Sequence, residues 1–284
     1  MKFIMTDWRS TLLLFAGIFI STFCFSQEMK MMTYNIKYAN ENDGENSWSH
    51  RKEFITNQLK FYEPDIFGVQ EALESQLDHF TSELNTYDFV GVGREDGKKK
   101  GEFSAILYKK NLFKVLSAQT FWLSDTPEKI STGWDAALPR ICTYALFEDI
   151  KSGKKFYFFN THFDHIGEKA RLESAKLILK KIKEINTENF PVVLTGDFNL
   201  EPDSEAIQTI SMEMNDAREV AQMVSFGSEG TFNGFNFEEP VTRRIDYIFT
   251  NAQVKVQKYG VLTDSKEMRY PSDHFPLLVL VEFK

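Results

Sequence analysis

The sequence of 284 residues is 42% hydrophobic and 14% aromatic, a composition that excludes a disordered chain and supports a large core. Its formal net charge is −8 and it has no long basic stripe, whereas a protein that holds duplex nucleic acid through many phosphates usually has a basic face. The composition therefore predicts one large domain and argues against a duplex-binding surface.

Residues 1–26 have the features of a secretory signal peptide. Two basic residues precede an apolar run over residues 11–25, which is shorter than the ~20 residues that a membrane-spanning helix needs. Cys24 and Ser26 are small residues placed three positions and one position before Gln27. Cleavage is therefore predicted just before Gln27.

A lipoprotein signal lipidated at Cys24 and an uncleaved anchor are the alternatives, and the bulky Phe23 argues against the first. We expect export to the periplasm or the exterior, no stable membrane anchor, and a mature domain over residues 27–284. Only Cys142 then remains in the mature chain, so no intrachain disulfide can form.

The mature chain is predicted to begin with a strand over residues 31–36, followed by a loop rich in Asn, Asp and Gly. A helix with one apolar face is predicted from three residues at helical spacing: Ile55, Leu59 and Tyr62. A second strand over residues 66–69 leads to Glu71. The polar side chains of Asn35 and Glu71 thus stand where two predicted strands end.

The middle of the chain is predicted to form strands at residues 87–92, 103–108, 113–122, 141–147 and 156–160. A helix follows, with four apolar residues on one face: Ala175, Ile178, Leu179 and Ile182. Late strands are predicted at residues 245–249, 254–261 and 275–283. Helices that flank strands in this order favour an α/β sandwich, in which two sheets pack together with helices outside.

Residues 191–199 form an apolar run that stops at a polar turn. Its first half predicts a buried strand, and Gly196 is expected to let the backbone turn sharply. Asp197 and Asn199 are two residues apart, so in an extended segment both side chains would face one small ligand. An Asx turn that merely closes the strand is the simpler interpretation.

Further polar residues stand at other predicted strand ends: Glu102, Arg140, His162, Asp246, Asp273 and His274. Carboxylates, amides, imidazoles and a guanidinium on one rim suit the hydrolysis of a phosphoester, in which positive groups stabilise charge on the phosphoryl oxygens. Hard oxygen ligands favour Mg²⁺ or Mn²⁺, and the sequence has no Cys/His spacing for zinc.

Six short motifs occur in a fixed order along the chain. They are Thr33-Tyr34-Asn35-Ile36, Val69-Gln70-Glu71, Asn160-Thr161-His162, Gly196-Asp197-Phe198-Asn199, Ile245-Asp246-Tyr247-Ile248 and Ser272-Asp273-His274-Phe275-Pro276. Together they resemble the motifs of the endonuclease/exonuclease/phosphatase superfamily, in an exported bacterial-type form. The resemblance covers nearly the whole mature chain. It implies a DNase I-like, four-layered α/β sandwich of two packed, mostly antiparallel sheets with helices outside, and metal-dependent hydrolysis at one end of the sheets.

The resemblance also implies roles for the metal side of the site. Glu71 would be the main ligand of Mg²⁺ or Mn²⁺, Asp273 a further carboxylate beside the metal, and Asn35 a neighbour of the metal or of the phosphate. Asp197 would orient or deprotonate the attacking water, and Asn199 would help it and contact the phosphate.

Two histidine pairs and a cation complete the implied site. His274 would contact the phosphate while Asp246 holds its tautomer. His162 would pair with Glu102, although Glu102 could equally be a solvated turn residue. Arg140 stands where the family has a phosphate-binding arginine or tyrosine.

Three features depart from the pattern or stay outside it. Lys37 stands where the apurinic endonucleases typically have an acidic residue, which argues against DNA repair. His165, three residues after His162, is interpreted as a residue satisfied by local hydrogen bonds. The loop that contains Trp134 and Asp135 either shapes the pocket or is a surface loop pinned by the aromatic ring.

The sequence therefore predicts an exported, divalent-metal-dependent phosphoesterase that uses in-line attack of water. The acidic balance favours a small, sugar, inositol or lipid phosphoester. An extracellular DNase I-like nuclease is the alternative, so nucleic acid stays open as a partner. A non-catalytic binding protein that retains the fold is the alternative of another class. We expect a monomer.

Overall fold

The computed structural model describes residues 28–284, so the predicted signal segment over residues 1–26 lies outside the described residues. The strands are β1 (Met29–Asn35), β2 (Ile66–Ala72), β3 (Tyr87–Val90), β4 (Phe103–Lys109), β5 (Phe113–Trp122), β6 (Ile141–Asp149), β7 (Lys155–His162), β8 (Val192–Asp197), β9 (Asn215–Asp216), β10 (Asp246–Thr250), β11 (Val254–Val261) and β12 (Leu277–Phe283). The helices are α1 (Trp48–Tyr62), α2 (Glu74–Glu83), α3 (Glu168–Ile185), α4 (Glu205–Ser211) and α5 (Ala217–Val220), and a 3₁₀ helix covers Glu41–Asn46.

The strands form two six-stranded sheets. The first sheet has the order β11-β12-β1-β2-β4-β3 and the second has the order β5-β6-β7-β8-β10-β9. Each sheet has one parallel pair at its centre, β1 with β2 and β7 with β8, and the other neighbours pair antiparallel. The predicted fold, two packed and mostly antiparallel sheets, is confirmed.

Three apolar cores separate the layers. The core between the two sheets contains Met31, Ile106, Phe147, Phe158 and Val279. A second core lies between the first sheet and helices α1 and α2, and it contains Met32, Ile55, Leu59, Phe67 and Phe80. A third core lies between the second sheet and helices α3 and α4, and it contains Phe159, Ile178, Leu179, Leu194 and Ile207. Adjacent residues of a strand point to opposite faces, which is why Met31 and Met32 belong to different cores.

Asn160, a buried polar residue, joins the two sheets behind the rim. Its Nδ2 donates to the carbonyls of Val69 and Ala105 at 2.8 and 2.9 Å, and its Oδ1 accepts from Gln70 Nε2 at 2.6 Å. A Cβ at Gly68 would lie 2.3 Å from that Oδ1, so only glycine fits there. Hydrogen bonds therefore fix the spacing of the sheets where the functional residues emerge.

The predicted strands agree with the structure to within a few residues, whereas α4 and α5 were not predicted. The prediction of a sharp turn at Gly196 was wrong, because Gly196 lies inside β8 and is paired with Tyr247. Its lack of a side chain instead allows close packing, since a Cβ there would lie 2.4 Å from the Thr161 carbonyl oxygen.

Within residues 28–284, no helix combines the length and the apolar character needed to span a membrane.

Candidate active site

A cleft of about 370 Å³ opens at one end of the two sheets, and the predicted site residues converge on it. Its lining includes Glu71, Glu102, Arg140, His162, Asp197, Asn199, Asp273 and His274. Asn35 and Asp246 lie directly behind this lining, because Asn35 contacts Glu71 and Asp246 contacts His274. The structure therefore brings together every residue that was predicted for the site.

The strand order explains why residues so far apart in sequence meet. The parallel pair β1 and β2 brings Asn35 and Glu71 to one edge, and the parallel pair β7 and β8 brings His162 opposite Asp197. Strand β10 runs antiparallel to β8, so its first residue, Asp246, pairs with Asp197.

The remaining site residues lie just before the first residues of three strands that pair antiparallel with their neighbours. Strand β12 runs antiparallel to β1, so Asp273 and His274, just before it, reach the same edge. In the same way, β4 starts just after Glu102 beside β2, and β6 starts just after Arg140 beside β7. Strand ends and strand starts thus form one rim.

Glu71 and Asp273 form the first of two carboxylate pairs in the cleft. The Lys37 ammonium lies 3.7 Å from Glu71 Oε2 and 4.0 Å from Asp273 Oδ2. Burial alone would raise the pKa of Glu71, but the positive charges of Lys37 and His274 outweigh it and hold that pKa below its usual range. Burial and the charge of Glu71 raise the pKa of Asp273. A cation is therefore already attracted to this pair.

Asp197 and Asp246 form the second carboxylate pair, with His274 between them. His274 Nδ1 lies 2.8 Å from Asp246 Oδ2, and its Nε2 lies 3.7 Å from Asp197 Oδ2. Burial and the charge of Asp246 raise the pKa of Asp197 to about 7. Burial opposes the charge of His274, yet the two carboxylates raise its pKa to about 10. At neutral pH an imidazolium thus faces a carboxyl group that is poised to accept a proton.

Asn35 links the two pairs. Its Nδ2 donates to Glu71 Oε1 at 3.1 Å and to Asp197 Oδ2 at 2.9 Å. Its Oδ1 accepts from the backbone N–H of Lys37 at 3.0 Å, which fixes the orientation of the amide. Asn35 therefore presents donors to both carboxylates, which fits the predicted place beside the metal or the phosphate and favours a linking role over direct ligation of a metal.

His162 is held as a neutral imidazole. Asn199 Nδ2 donates to its Nε2 at 3.1 Å and to the Phe163 carbonyl at 3.1 Å, so the ring proton of His162 belongs on Nδ1. Burial and the charges of Arg140 and Arg94 lower the pKa of His162 well below its ordinary value. His162 therefore stays uncharged at neutral pH, unlike His274.

The predicted pairing of His162 with Glu102 is close but is not a hydrogen bond. His162 Nδ1 lies 3.9 Å from Glu102 Oε2 and has no hydrogen-bond partner within residues 28–284. Glu102 is instead held by Arg94, whose two terminal nitrogens donate to the two carboxylate oxygens at 2.7 and 2.8 Å. The side chain of Glu102 is only 19% exposed, so it is not a solvated turn residue.

Arg140 is a cationic residue in the lining of the cleft. Its Nε lies 3.4 Å from Asp164 Oδ2 and its Nη2 lies 3.0 Å from His165 Nδ1, whereas Nη1 is buried with no hydrogen-bond partner in the described part of the chain. A guanidinium only donates, so His165 accepts at Nδ1 and carries its proton on Nε2. His165 lines the cleft, so local hydrogen bonding does not remove it from the site.

Two turn residues have clear structural roles. Asp197 Oδ1 accepts from the backbone N–H of Asn199 at 2.9 Å, so the Asx turn is present and the same carboxylate also faces the cleft. Asp135 accepts from the backbone N–H of Ala170 at 2.6 Å and caps the first turn of α3. The loop of Asp135 is therefore fixed to the fold, and its residue Leu138 reaches the cleft.

The donor atoms of the cleft fit a divalent cation. Within residues 28–284, ligand atoms of Asp197, Asp246 and His274 lie within 4.8 Å of one another, close enough to hold an ion. A metal there would have to displace the imidazole proton that Asp246 holds. Glu71 and Asp273 instead share the Lys37 ammonium, which is held by charge. Their hard oxygen atoms suit Mg²⁺ or Mn²⁺. The Glu71–Asp273 pair is therefore the better metal site.

A four-layered α/β sandwich with acids, imidazoles and an arginine at one end of its sheets is the architecture of DNase I-like phosphoester hydrolases. The model of the Endonuclease/Exonuclease/phosphatase family matches residues 32–274, and the chain belongs to this family. The prediction of the superfamily is confirmed, and members of the family hydrolyse phosphoester bonds.

Two solved structures from Bacteroides thetaiotaomicron are similar to this chain. One is an endonuclease/exonuclease/phosphatase family protein, 39% identical with a TM-score of 0.88, and the match covers 91% of this chain and 99% of that chain. The other is the mannosyl-6-phosphatase Bt3783 of strain VPI-5482, 40% identical with a TM-score of 0.86, and the match covers 90% of this chain and 100% of that chain.

A nuclease is also among the similar proteins. The CCR4-Not complex 3'-5'-exoribonuclease subunit Ccr4 of Mycosarcoma maydis is 22% identical over 309 residues. The match covers 84% of this chain but only 46% of that protein.

Proposed function

We propose that this chain is an exported, divalent-metal-dependent phosphomonoesterase that acts on a sugar phosphate. The observation that carries the proposal is the convergence of two carboxylate pairs, a cationic His274 and the guanidinium of Arg140 in one cleft. An anion such as a phosphoryl group suits the cationic groups, and a proton acceptor stands beside them.

The choice of a sugar phosphate rests on similarity and on size. A mannosyl-6-phosphatase is 40% identical over nearly its whole length, and a cleft of about 370 Å³ falls at the small end of the ~300–1,000 Å³ typical of small-molecule sites. The formal charge of −8 also argues against a long polyanion as substrate. The predicted signal segment supports export.

The residues divide the work of hydrolysis. Asp197 accepts a proton from the attacking water, whose oxygen forms a bond to phosphorus as the ester oxygen leaves on the opposite side. The Nε2–H of His274 and the guanidinium of Arg140 donate hydrogen bonds to the phosphoryl oxygens. Asp246 holds His274 in the charged form that this donation requires. A divalent cation held by Glu71 and Asp273 would supply further positive charge to the phosphoryl group.

The outer part of the cleft is suited to the leaving group. His165 Nε2 and the guanidinium of Arg243 offer donors there, and Phe232 offers an aromatic face beside His274, with ring centroids 5.1 Å apart. Donors around an aromatic ring suit a polar sugar with hydroxyl groups. None of these three residues was predicted from the sequence as part of the site.

The test measures hydrolysis by the mature chain with Mg²⁺ or Mn²⁺: phosphate release from the monoesters, release of the aryl alcohol from the diester, and strand cleavage of the nucleic acids. The substrates are mannose 6-phosphate, glucose 6-phosphate, a generic aryl phosphomonoester, its diester, and single-stranded RNA and DNA, and Asp197→Asn is the matched control. We expect turnover of a hexose 6-phosphate that the control loses. Cleavage confined to RNA or DNA would establish the nuclease alternative, and an inert chain would favour the binding-protein alternative.

Export needs a separate measurement. Cell fractionation followed by sequencing of the amino terminus should find the chain outside the cytoplasm, beginning at Gln27. A cytoplasmic chain that retains residues 1–26 would contradict this part of the proposal.

A further inference from the structure

The side chain of Lys37 lies inside the metal half of the cleft. It is 24% exposed, and its ammonium lies 3.7 Å from Glu71 and 4.0 Å from Asp273. Both distances exceed those of hydrogen bonds, so the charges of the carboxylates hold the ammonium there, together with a cation–π contact in which it lies 4.5 Å from the centroid of the Tyr38 ring. A lysine head group on its flexible stem can leave such a position without breaking a hydrogen bond to either carboxylate.

The backbone of Lys37, by contrast, is fixed. Its N–H donates to Asn35 Oδ1 at 3.0 Å, and its carbonyl accepts from Gln76 Nε2 at 3.0 Å and from Arg51 Nη2 at 3.2 Å. Its φ angle is 55°, in the left-handed region that residues other than glycine seldom adopt. The fold therefore aims this side chain at the carboxylates, and the contact is not an accident of a loose loop.

The charges in this half of the cleft limit how many cations it can hold. Glu71 and Asp273 carry two negative charges when ionised, and Lys37 balances one of them. A divalent cation on the same carboxylates would leave a net positive charge while the ammonium stays, so the two cations repel each other at short range. A second divalent cation would meet a still less favourable charge.

We propose that Lys37 is a built-in counter-cation that competes with the divalent metal for Glu71 and Asp273. Metal binding displaces the ammonium, the cleft holds one divalent cation per chain, and it holds that ion more weakly than the two carboxylates alone would. The inference rests on the metal site of the proposed function and is independent of the substrate.

The test is a titration of the full metal-free chain with Mn²⁺. Calorimetry measures the heat of binding, and electron paramagnetic resonance measures the concentration of free Mn²⁺. Lys37→Met removes the charge at similar length, Lys37→Arg retains it, and Lys110→Met, at an exposed lysine, is the matched control. We expect one Mn²⁺ per wild-type chain. Affinity should rise about 10- to 100-fold in Lys37→Met and stay within about threefold in the other two variants.

Thermal unfolding gives a second readout. Without metal, Lys37→Met should melt below the wild type because Glu71 and Asp273 then repel each other, and saturating Mn²⁺ should remove the difference. If Lys37→Met does not fold, Lys37→Gln carries the same two expectations.

Two Mn²⁺ ions per wild-type chain, or an affinity in Lys37→Met that is unchanged or weaker, would overturn the inference. A higher KM for the substrate with unaltered Mn²⁺ affinity would also overturn it, because Lys37 would then be a phosphate ligand. The titration contains no substrate. A chain that binds one Mn²⁺ with the expected affinities but hydrolyses no substrate would therefore refute the proposed function alone, and a hydrolytic chain whose Mn²⁺ affinity is unchanged in Lys37→Met would refute this inference alone.

Discussion

The two carboxylate pairs of the cleft are balanced in different ways. Glu71 and Asp273 share the Lys37 ammonium at 3.7 and 4.0 Å, whereas Asp197 and Asp246 share the imidazole of His274, which lies 2.8 Å from Asp246. A cation held only by charge can be exchanged for another cation, but one held by a short buried hydrogen bond cannot leave without exposing an unpaired charge. In the proposed function the first pair therefore holds the metal and the second handles the proton.

Burial sharpens this contrast. Lys37 is 24% exposed and can reach solvent, whereas the side chains of Asp197, Asp246 and His274 are at most 4% exposed. Water therefore screens the charges of the first pair more than those of the second. Changes to the first pair and changes to the second pair should therefore have different effects on metal binding and on proton transfer.

Removal of divalent metal should abolish hydrolysis while the fold survives. The first pair then keeps the Lys37 ammonium as its cation, so the protein should remain folded and lose only the charge that the metal contributes. The measurement is phosphate release after dialysis against a chelator, followed by restoration with Mg²⁺, Mn²⁺ or Zn²⁺. Full activity in the chelated protein, or best restoration by Zn²⁺, would contradict the assignment of a hard-cation site.

Asp197→Asn should lower kcat by about 10²- to 10⁴-fold, the range for loss of a general base. The amide is isosteric and keeps the fold, but both oxygens of Asp197 accept hydrogen bonds, so the new amide nitrogen meets a donor and the melting temperature should fall modestly. Mn²⁺ affinity should change little because Asp197 belongs to the second pair. A near-normal kcat would refute the role of Asp197 as proton acceptor. A large loss of Mn²⁺ affinity would mean that Asp197 also binds the metal and that the two pairs form one metal site.

Asp246→Asn should lower kcat by about 10- to 100-fold at neutral pH, as loss of a carboxylate partner of a functional histidine typically does. In the wild type, Asp246 and Asp197 raise the pKa of His274 to about 10, so His274 remains charged up to that pH. The alkaline limb of the kcat/KM profile should therefore move toward lower pH in the variant. Nuclear magnetic resonance of the imidazole protons measures the same pKa directly.

The folding stability of this variant has a defined dependence on pH. The pKa of His274 is raised above its ordinary value of 6.5, so the stabilisation it gives the wild type is complete below about pH 6.5 and is lost as pH rises through about 10. The wild type and Asp246→Asn should therefore differ most in melting temperature at about pH 6.5 and just below it, and should converge above about pH 10. A difference in melting temperature that stays constant from about pH 6.5 to about pH 10 would contradict the ion pair between His274 and Asp246.

The rim was predictable because each strand that delivers it is an apolar run with a polar residue at its start or at its end. Asn35, Glu71, Asp197 and His274 all carry this local signal, and the order of their motifs indicated the fold. The contacts between them depend on which strands become neighbours, and the pairing of Asp246 with Asp197 exists only once β10 lies beside β8.

Residues that act across loops carried no such signal. Arg94 reaches Glu102 because the backbone N–H of Arg94 donates to the Glu102 carbonyl, which closes the loop and aligns the two side chains. His165 was set aside because its spacing from His162 indicated local hydrogen bonds. His165 does form a hydrogen bond, but with the guanidinium of Arg140, which lies 25 positions earlier in the chain. The His165 side chain is part of the cleft lining. Side-chain direction, rather than residue type, decided both cases.

Asn35→Ala should have the smallest effect and should act on both pairs at once. The amide of Asn35 donates to Glu71 and Asp197, so its removal leaves one buried acceptor in each pair without this donor. A lost hydrogen bond to a charged group is worth ~1.5–3 kcal/mol, of which water that fills the space recovers part. We expect Mn²⁺ affinity and kcat each to fall about 5- to 10-fold.

Combining Asn35→Ala with Asp197→Asn tests whether Asn35 truly joins the pairs. Loss of kcat should be less than additive, because Asn35 acts on proton transfer through the carboxylate that the second change removes. The loss of Mn²⁺ affinity should persist unchanged, because Glu71 still lacks its donor. Full additivity in kcat would mean that Asn35 contacts the substrate directly, and the two pairs would then be joined only through the ligand they bind.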